Sequence, residues 1–360
     1  MNRTQQISLV IAALLLASCG SEQRPATTGV ADTQSVTIMT FNVENLFDNV
    51  DDPGKDDKAY LAIGDKQTDE HKAACAEVDV PRWRDQCLNW DWSDAIVAQK
   101  LSVVASVILQ VNDGHGPDVI ALQEVENMNI LELLRSEYLA DAGYRPAILI
   151  EGQDDRGIDV AFLSRFATVG SPQLHAISFA DDFPERDLDT RGILQADFQL
   201  PDGTVLTGYA VHFPAPYHPT EMRIAAYNQL NKLRAALPAD RPAFAAGDFN
   251  TTSTEDRKKN MLDRFARPYW TVAHDAGCGD CKGTSYYARD DSWSFLDMIL
   301  WSPARDRSAH TTWQLREDST HIANRISDQV RDNGTPARFN LPEGTGVSDH
   351  WPVVMTIDFK

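Results

Sequence analysis

The chain has 360 residues, 42% of them hydrophobic and 24% charged, the balance of a soluble protein with a substantial core. Its 33 basic residues face 53 acidic ones, a formal net charge of -20. So acidic a surface disfavours tight non-specific holding of nucleic acid or of an anionic membrane, though not a local positive site or a metal that reverses the field at one point.

The first stretch reads as a secretory signal peptide over residues 1–18: Arg3 supplies the positive charge, and the apolar run from Ile7 to Ala17 is too short to span a bilayer. Leu16-Ala17-Ser18-Cys19 resembles the lipobox of bacterial lipoproteins. That resemblance implies cleavage before Cys19 and lipid on its sulfur. Gly20, not Asp, follows the Cys, so inner-membrane retention is not signalled, and an outer-membrane anchor facing the periplasm is expected. A plain secreted protein with an accidental Cys is the alternative. Residues 19–34, rich in Pro, Thr, Ser and Gly, read as a tether, and residues 35–360 as one domain without an internal linker.

Val36 to Phe41 is β-prone and ends at Asn42-Val43-Glu44-Asn45. From Asp48 to about Trp92 the chain is acidic and Lys-studded, which predicts a long loop too polar to form a core. Ser93 is placed to cap an amphipathic helix running to about Gln110. Asp118 to Leu122 predicts a buried strand ending at Gln123-Glu124, and Asn129 to Tyr138 a helix. Gly157 to Ser164 reads as a strand, and Leu194 to Leu200 with Val205 to His212 as a hairpin around Pro201-Asp202-Gly203. Thr220 to Leu237 predicts a helix with Thr220 as cap and Pro238 as stop. Ala243 to Ala246 is a short buried strand that stops at Gly247, with Asp248 and Asn250 just beyond, two positions apart and so on one side. Trp293 to Leu300, with Asp297 inside it, and Val353 to Phe359 complete the strands.

Besides Cys19 there are four cysteines, Cys75, Cys87, Cys278 and Cys281. An even count in an exported chain favours disulfides, in one of three connectivities. Cys278-x-x-Cys281 also has zinc-ligand spacing, so a four-thiolate zinc site is the alternative. Trp83, Trp90 and Trp92 in the acidic insertion either pack it onto the domain or stack on bases.

Polar residues recur in or at the ends of apolar strands: Asn42 and Glu44, Glu124, His212, Asp248 and Asn250, Asp297, and Asp349 with His350. Carboxylates, imidazoles and amides with no Lys and no framed Ser nucleophile suit a hydrolytic site built on a hard cation such as Mg²⁺, Mn²⁺ or Ca²⁺. In order along the chain, Phe-Asn-Val-Glu-Asn-Leu-Phe-Asp, Val-Ile-Ala-Leu-Gln-Glu-Val, Gly-Asp-Phe-Asn, Leu-Asp-Met-Ile-Leu and Val-Ser-Asp-His-Trp-Pro-Val resemble the endonuclease/exonuclease/phosphatase superfamily, from about Val36 onward.

The resemblance implies an α/β fold, a four-layer α/β/β/α sandwich like that of DNase I, and a divalent-metal phosphoesterase. It implies metal binding by Glu124, with Asn42 beside it, and places Asp349 as a second metal ligand. Asp248 matches the residue that activates water, Asn250 the one that contacts phosphate, and His350 the one that meets the scissile phosphate. Asp297 matches the acid that orients this imidazole, and His212 a second His that assists the leaving oxygen. Glu44 stands where several relatives have Asp, as a further metal candidate. Arg156 and Asp159 are candidates to touch substrate phosphate, a loop salt bridge being the alternative. Nucleic acid is the expected substrate. Phosphomonoesters or lipid head groups are alternatives, because His212 to Pro219 departs from the family sequence after the His. A silent surface-binding lipoprotein is a further alternative, and a monomer is expected.

Overall fold

A computed structural model describes residues 34–188, 190–306 and 312–360. The expected signal peptide, lipidated Cys19 and all of the tether but Gln34 lie outside the described residues. Gln34–Lys360 makes one compact unit.

The strands that carry the fold are β1 (Ser35–Leu46), β2 (Val119–Val125), β3 (Asp159–Ser164), β4 (Ile193–Gln199), β5 (Val205–His212), β6 (Ala243–Asp248), β7 (Asp297–Ser302) and β8 (Val353–Phe359). The helices are α1 (Asp69–Ala76), α2 (Pro81–Asn89), α3 (Asp94–Leu109), α4 (Met128–Leu133), α5 (Thr220–Ala236) and α6 (Met261–Phe265), with shorter helices and strands besides. One sheet has the order β8-β1-β2-β3 and the other β7-β6-β5-β4, each with small edge strands. Both follow one plan. β1 and β2 are parallel and joined through α3, β5 and β6 are parallel and joined through α5, and every other neighbour in the two series is antiparallel.

Alternation along the strands explains the layering. Val36 and Ile38 of β1, Val119 and Ala121 of β2, Phe244 and Ala246 of β6, and Ile299 and Trp301 of β7 lie in one buried cluster between the sheets. Their neighbours Met39, Phe41, Ile120 and Leu122 pack outward beneath Leu101, Val104 and Ile108 of α3 and Ile130 of α4. On the other side Tyr209, Val211, Ala245 and Leu300 pack under Met222, Tyr227 and Leu230 of α5 and Met261 of α6. The result is the expected sandwich of helices, sheet, sheet and helices. Each of these large apolar side chains, fully buried, contributes about 1.5–3 kcal/mol.

Several local expectations need correction. The acidic stretch before Trp92 is not a coreless loop: it folds into α1 and α2, tied by Cys75–Cys87. Inside it Lys66 is buried and donates to the carbonyls of Ala59 and Gln86, which spares this small layer an unpaired charge. Trp92 packs, donating its Nε1–H to the Phe47 carbonyl, while Trp83 stays 60% exposed. The second disulfide is Cys278–Cys281, so each sulfur is taken by its neighbour in sequence and a four-thiolate zinc site is ruled out. Ser93 caps α3 through its carbonyl rather than its hydroxyl. Thr220 is the first residue of α5, behind Pro219, and its hydroxyl serves Glu255 instead. The helix after β2 is regular only from Met128 to Leu133 and then widens into a π-helical turn, Leu134–Tyr138. The strand expected from Trp293 is broken at Phe295-Leu296, which makes Asp297 the first residue of β7.

Candidate active site

The inward rows that build the core turn polar at one end of the sandwich. Ile38 and Thr40 lead to Asn42, Phe244 and Ala246 to Asp248, Ala210 to His212, and, read backwards, Trp301 and Ile299 to Asp297. Asp248 pairs in register with His212 on one side and Asp297 on the other, so three polar side chains stand in a row across the second sheet. Asn42 faces them from the first sheet.

Glu124 breaks the alternation. Asn42 pairs with Gln123 and Leu46 with Val125, so three residues of β1 lie across from Glu124 alone; toward β3 it is likewise the extra residue. Its φ of 65° and those of Glu44 (52°) and Asn45 (59°) lie in the left-handed region, at a cost of about 1–3 kcal/mol each. The paired bulges aim Glu124 into the seam, where strict alternation would have turned it to the outer face. Asn250, at φ 50°, makes a comparable bend after β6.

The hydrogen bonds fix what each group presents. Asn42 Nδ2 lies 3.2 Å from Asp248 Oδ2 and 3.4 Å from Glu124 Oε1, while its Oδ1 accepts the Glu44 N–H at 3.0 Å. Asn42 therefore turns its amide nitrogen to the acids and is a donor there. Glu124 Oε2 accepts the Asn45 N–H at 3.1 Å, and no Lys or Arg pairs with this carboxylate among the described residues. Asp248 Oδ1 accepts the Asn250 N–H at 2.8 Å, and Asn250 Nδ2 donates to the Phe213 carbonyl at 2.9 Å. His212 Nε2 stands 3.6 Å from Asp248 Oδ2 and 4.0 Å from Glu124 Oε1.

His350 Nδ1–H donates to Asp297 Oδ2 at 2.7 Å, leaving Nε2 on the far side of the ring. Asp248, Asp297 and His350 bring ligand atoms within 4.8 Å of one another. Supports that the sequence did not announce hold this pair. Ser348 Oγ donates to the Asn42 carbonyl and accepts the His350 N–H, and Thr284 Oγ1 accepts the Asp297 N–H. Ser348 lies in a motif already singled out, two residues before His350, a spacing that could have marked it.

Burial and the neighbouring charges together set the protonation. It lowers the pKa of His350, but the Asp297 carboxylate, aided by Asp349 and Asp248, outweighs it and holds the ring well above the ordinary value, as imidazolium. Burial lowers His212 well below its ordinary value, and the cations of Arg191, Arg156 and His350 push the same way, so this ring is neutral. Burial raises Asp248 to about 7 despite the opposing charge of His350. Cation, neutral ring and poised carboxylate thus share one seam.

The other expected site residues are held by partners within the chain. Glu44 is held by Arg338 on one oxygen and by the N–H groups of Phe339 and Asp349 on the other. Asp349 pairs with the same Arg338 and lies 3.9 Å from His350 Nε2, so it is tied to cations of the chain itself. Arg338 carries no sequence signal. Arg156 donates to Asn45 Oδ1 at 2.5 Å on the exposed rim, beside the bulge that presents Glu124, rather than forming a loop salt bridge. Asp159 is buried and accepts the Gly152 N–H at 2.7 Å, turned away from solvent.

A family model described as the Endonuclease/Exonuclease/phosphatase family matches residues 94–350. No curated protein matches the chain. Among solved structures, an endonuclease/exonuclease/phosphatase from Beutenbergia cavernae is 17% identical with a TM-score of 0.53, covering 90% of this chain and 72% of that one. One from Bacteroides vulgatus is also 17% identical, TM-score 0.53, with 91% and 100% covered. D. rerio TDP2 complexed with single strand DNA product is 14% identical, TM-score 0.52, with 90% and 98% covered. At these identities the likeness to the solved structures is one of fold.

Proposed function

Because the chain belongs to the endonuclease/exonuclease/phosphatase family, we propose that it is a divalent-metal-dependent phosphoester hydrolase, nuclease-like in preference. The observation that carries this reading is the buried Asp297–His350 pair set beside Asp248 in one seam. Glu124 suits a hard cation: it is a carboxylate without a Lys or Arg partner among the described residues, aimed inward by a strained bulge. Glu124 would hold Mg²⁺, Mn²⁺ or Ca²⁺, which when bound neutralises charge on the phosphoryl group.

The chain's own residues do the rest. Asp248, poised near neutrality, takes the proton of the attacking water, and Asn250 N–H holds the carboxylate for it. His350, kept cationic and oriented by Asp297, donates from Nε2 to a phosphoryl oxygen as charge develops there. Asn42 Nδ2 holds Asp248 and Glu124 at one spacing. Neutral His212 would assist the leaving oxygen.

A nucleic-acid substrate agrees with the DNA product bound to D. rerio TDP2, and Tyr217, 83% exposed on the segment after His212, offers a face for a base. Lipid on Cys19 would hold the enzyme at the cell envelope, with the charge of -20 keeping the domain off an anionic bilayer. The test is a panel of single- and double-stranded DNA, RNA, nucleotides, inositol phosphates and phospholipid head groups, assayed with Mg²⁺, Mn²⁺, Ca²⁺ and excess EDTA. Metal-dependent cleavage of a phosphodiester is expected, with Glu124→Gln responding weakly to metal. Full activity in EDTA would place the chemistry elsewhere.

A further inference from the structure

Outside the seam, Asp52, Asp57 and Glu126 bring carboxylate oxygens within 4.8 Å of one another. Asp57 and Glu126 are buried and Asp52 is half-buried. Among the described residues no Lys, Arg or His pairs with any of the three; Lys58 goes to Asp51, and Lys55 to the Asp154 carbonyl. The surrounding bonds use one oxygen of each acid. Asp52 N–H donates to Asp57 Oδ2 at 2.7 Å, Asp48 N–H to Glu126 Oε2 at 2.7 Å, and Asn127 Nδ2 to Asp52 Oδ2 at 3.3 Å. Asp57 Oδ1 and Glu126 Oε1 are left buried with no hydrogen-bond partner. Three acids packed together, two of them with a bare oxygen out of water, are costly unless a proton or a cation joins them.

We propose that Asp52, Asp57 and Glu126 form a second divalent-cation site, separate from the one assigned to Glu124 and suited to calcium. All three donors are hard oxygens, and two come from an irregular segment that tolerates the adaptable coordination calcium accepts. Its position gives it a purpose. Glu126 lies two residues after Glu124, at the end of β2, whereas Asp52 and Asp57 open the insertion that carries α1 and α2. A cation there pins the insertion to the strand that presents Glu124. The inference does not depend on the proposed catalysis.

The test is thermal unfolding of the full chain from EDTA into millimolar calcium, with Glu124→Gln throughout so that the seam does not respond, alone and combined with Asp57→Asn/Glu126→Gln. At calcium a hundredfold above Kd, Glu124→Gln should melt about 5 °C higher. The triple variant should show no rise, and in EDTA it should melt no lower than Glu124→Gln, because its amides remove the repulsion. No calcium effect on Glu124→Gln, or an equal rise in the triple variant, overturns the site. Should the triple variant fail to fold, calorimetric titration of calcium into Glu124→Gln with and without Asp52→Asn decides. A loss of affinity of tenfold or more is expected, and unchanged affinity overturns the proposal.

Discussion

Asp248→Asn should stabilise the protein increasingly as pH rises. Burial, opposed by His350 and joined by Asp297 and Glu124, lifts the wild-type carboxyl from 3.8 to about 7. A raised carboxyl pKa means that the folded chain holds the proton more tightly than the unfolded one. Its contribution to stability is complete below about pH 4, declines as pH rises, and is gone above about pH 7. At about 1.4 kcal/mol per pKa unit the loss across that window is about 4 kcal/mol, of which about 3 kcal/mol falls between pH 5 and pH 8. An Asn at 248 has no proton to lose. Its new NH₂ meets the NH₂ of Asn42, where a hydrogen bond is now accepted, a penalty of about 1 kcal/mol. That penalty does not vary with pH, so it cancels when the two pH values are compared. The assay is urea unfolding of both proteins in EDTA at pH 5 and pH 8. The variant should gain about 3 kcal/mol on the wild type between the two, with turnover lost at both. Equal differences at the two pH values, or a variant that loses ground at pH 8, would refute this account of the buried carboxyl.

His350→Ala should lower kcat by about a hundredfold or more, as removal of a preorganised donor does. Asp297→Asn should cost less and shift the alkaline limb of the pH–rate profile to lower pH, since Asp297 holds His350 above its ordinary value; an unmoved limb would deny that pairing. Cys75→Ser/Cys87→Ser should lose about 3 kcal/mol in chemical unfolding, the chain-entropy value for a loop of this size. Mass spectrometry should find lipid on Cys19 and none in Cys19→Ser, and an unmodified wild-type terminus would end the anchor proposal.

Much of this architecture was legible because the sandwich is built from period-two strands. Ala243 to Ala246 declared a buried strand, and the same parity carried to Asp248 put the acid on the inner face. Glu124 was found by motif and not by parity, which would have turned it outward; a bulge with positive φ is what reverses it. The engagement of Glu44 and Asp349 was not legible, because it depends on Arg338, which lies in a segment without periodicity and meets them only in the folded chain. The insertion misled for a related reason. Its charges suggested solvent, yet Lys66 is satisfied by carbonyls inside a small disulfide-tied layer that no local pattern announces.

The first sheet is closed by the strand that comes last. Ser348, which steadies His350, bonds to Asn42 across 306 residues, and β8 then lies against β1. A growing chain can therefore complete β1, its insertion and the whole second sheet while still lacking the imidazolium. On this reading translation order works as a safety catch. Chains that stop short of His350 would turn over about a hundredfold slower or worse however well the rest has folded, and full activity would come only when β8 zips into place beside β1.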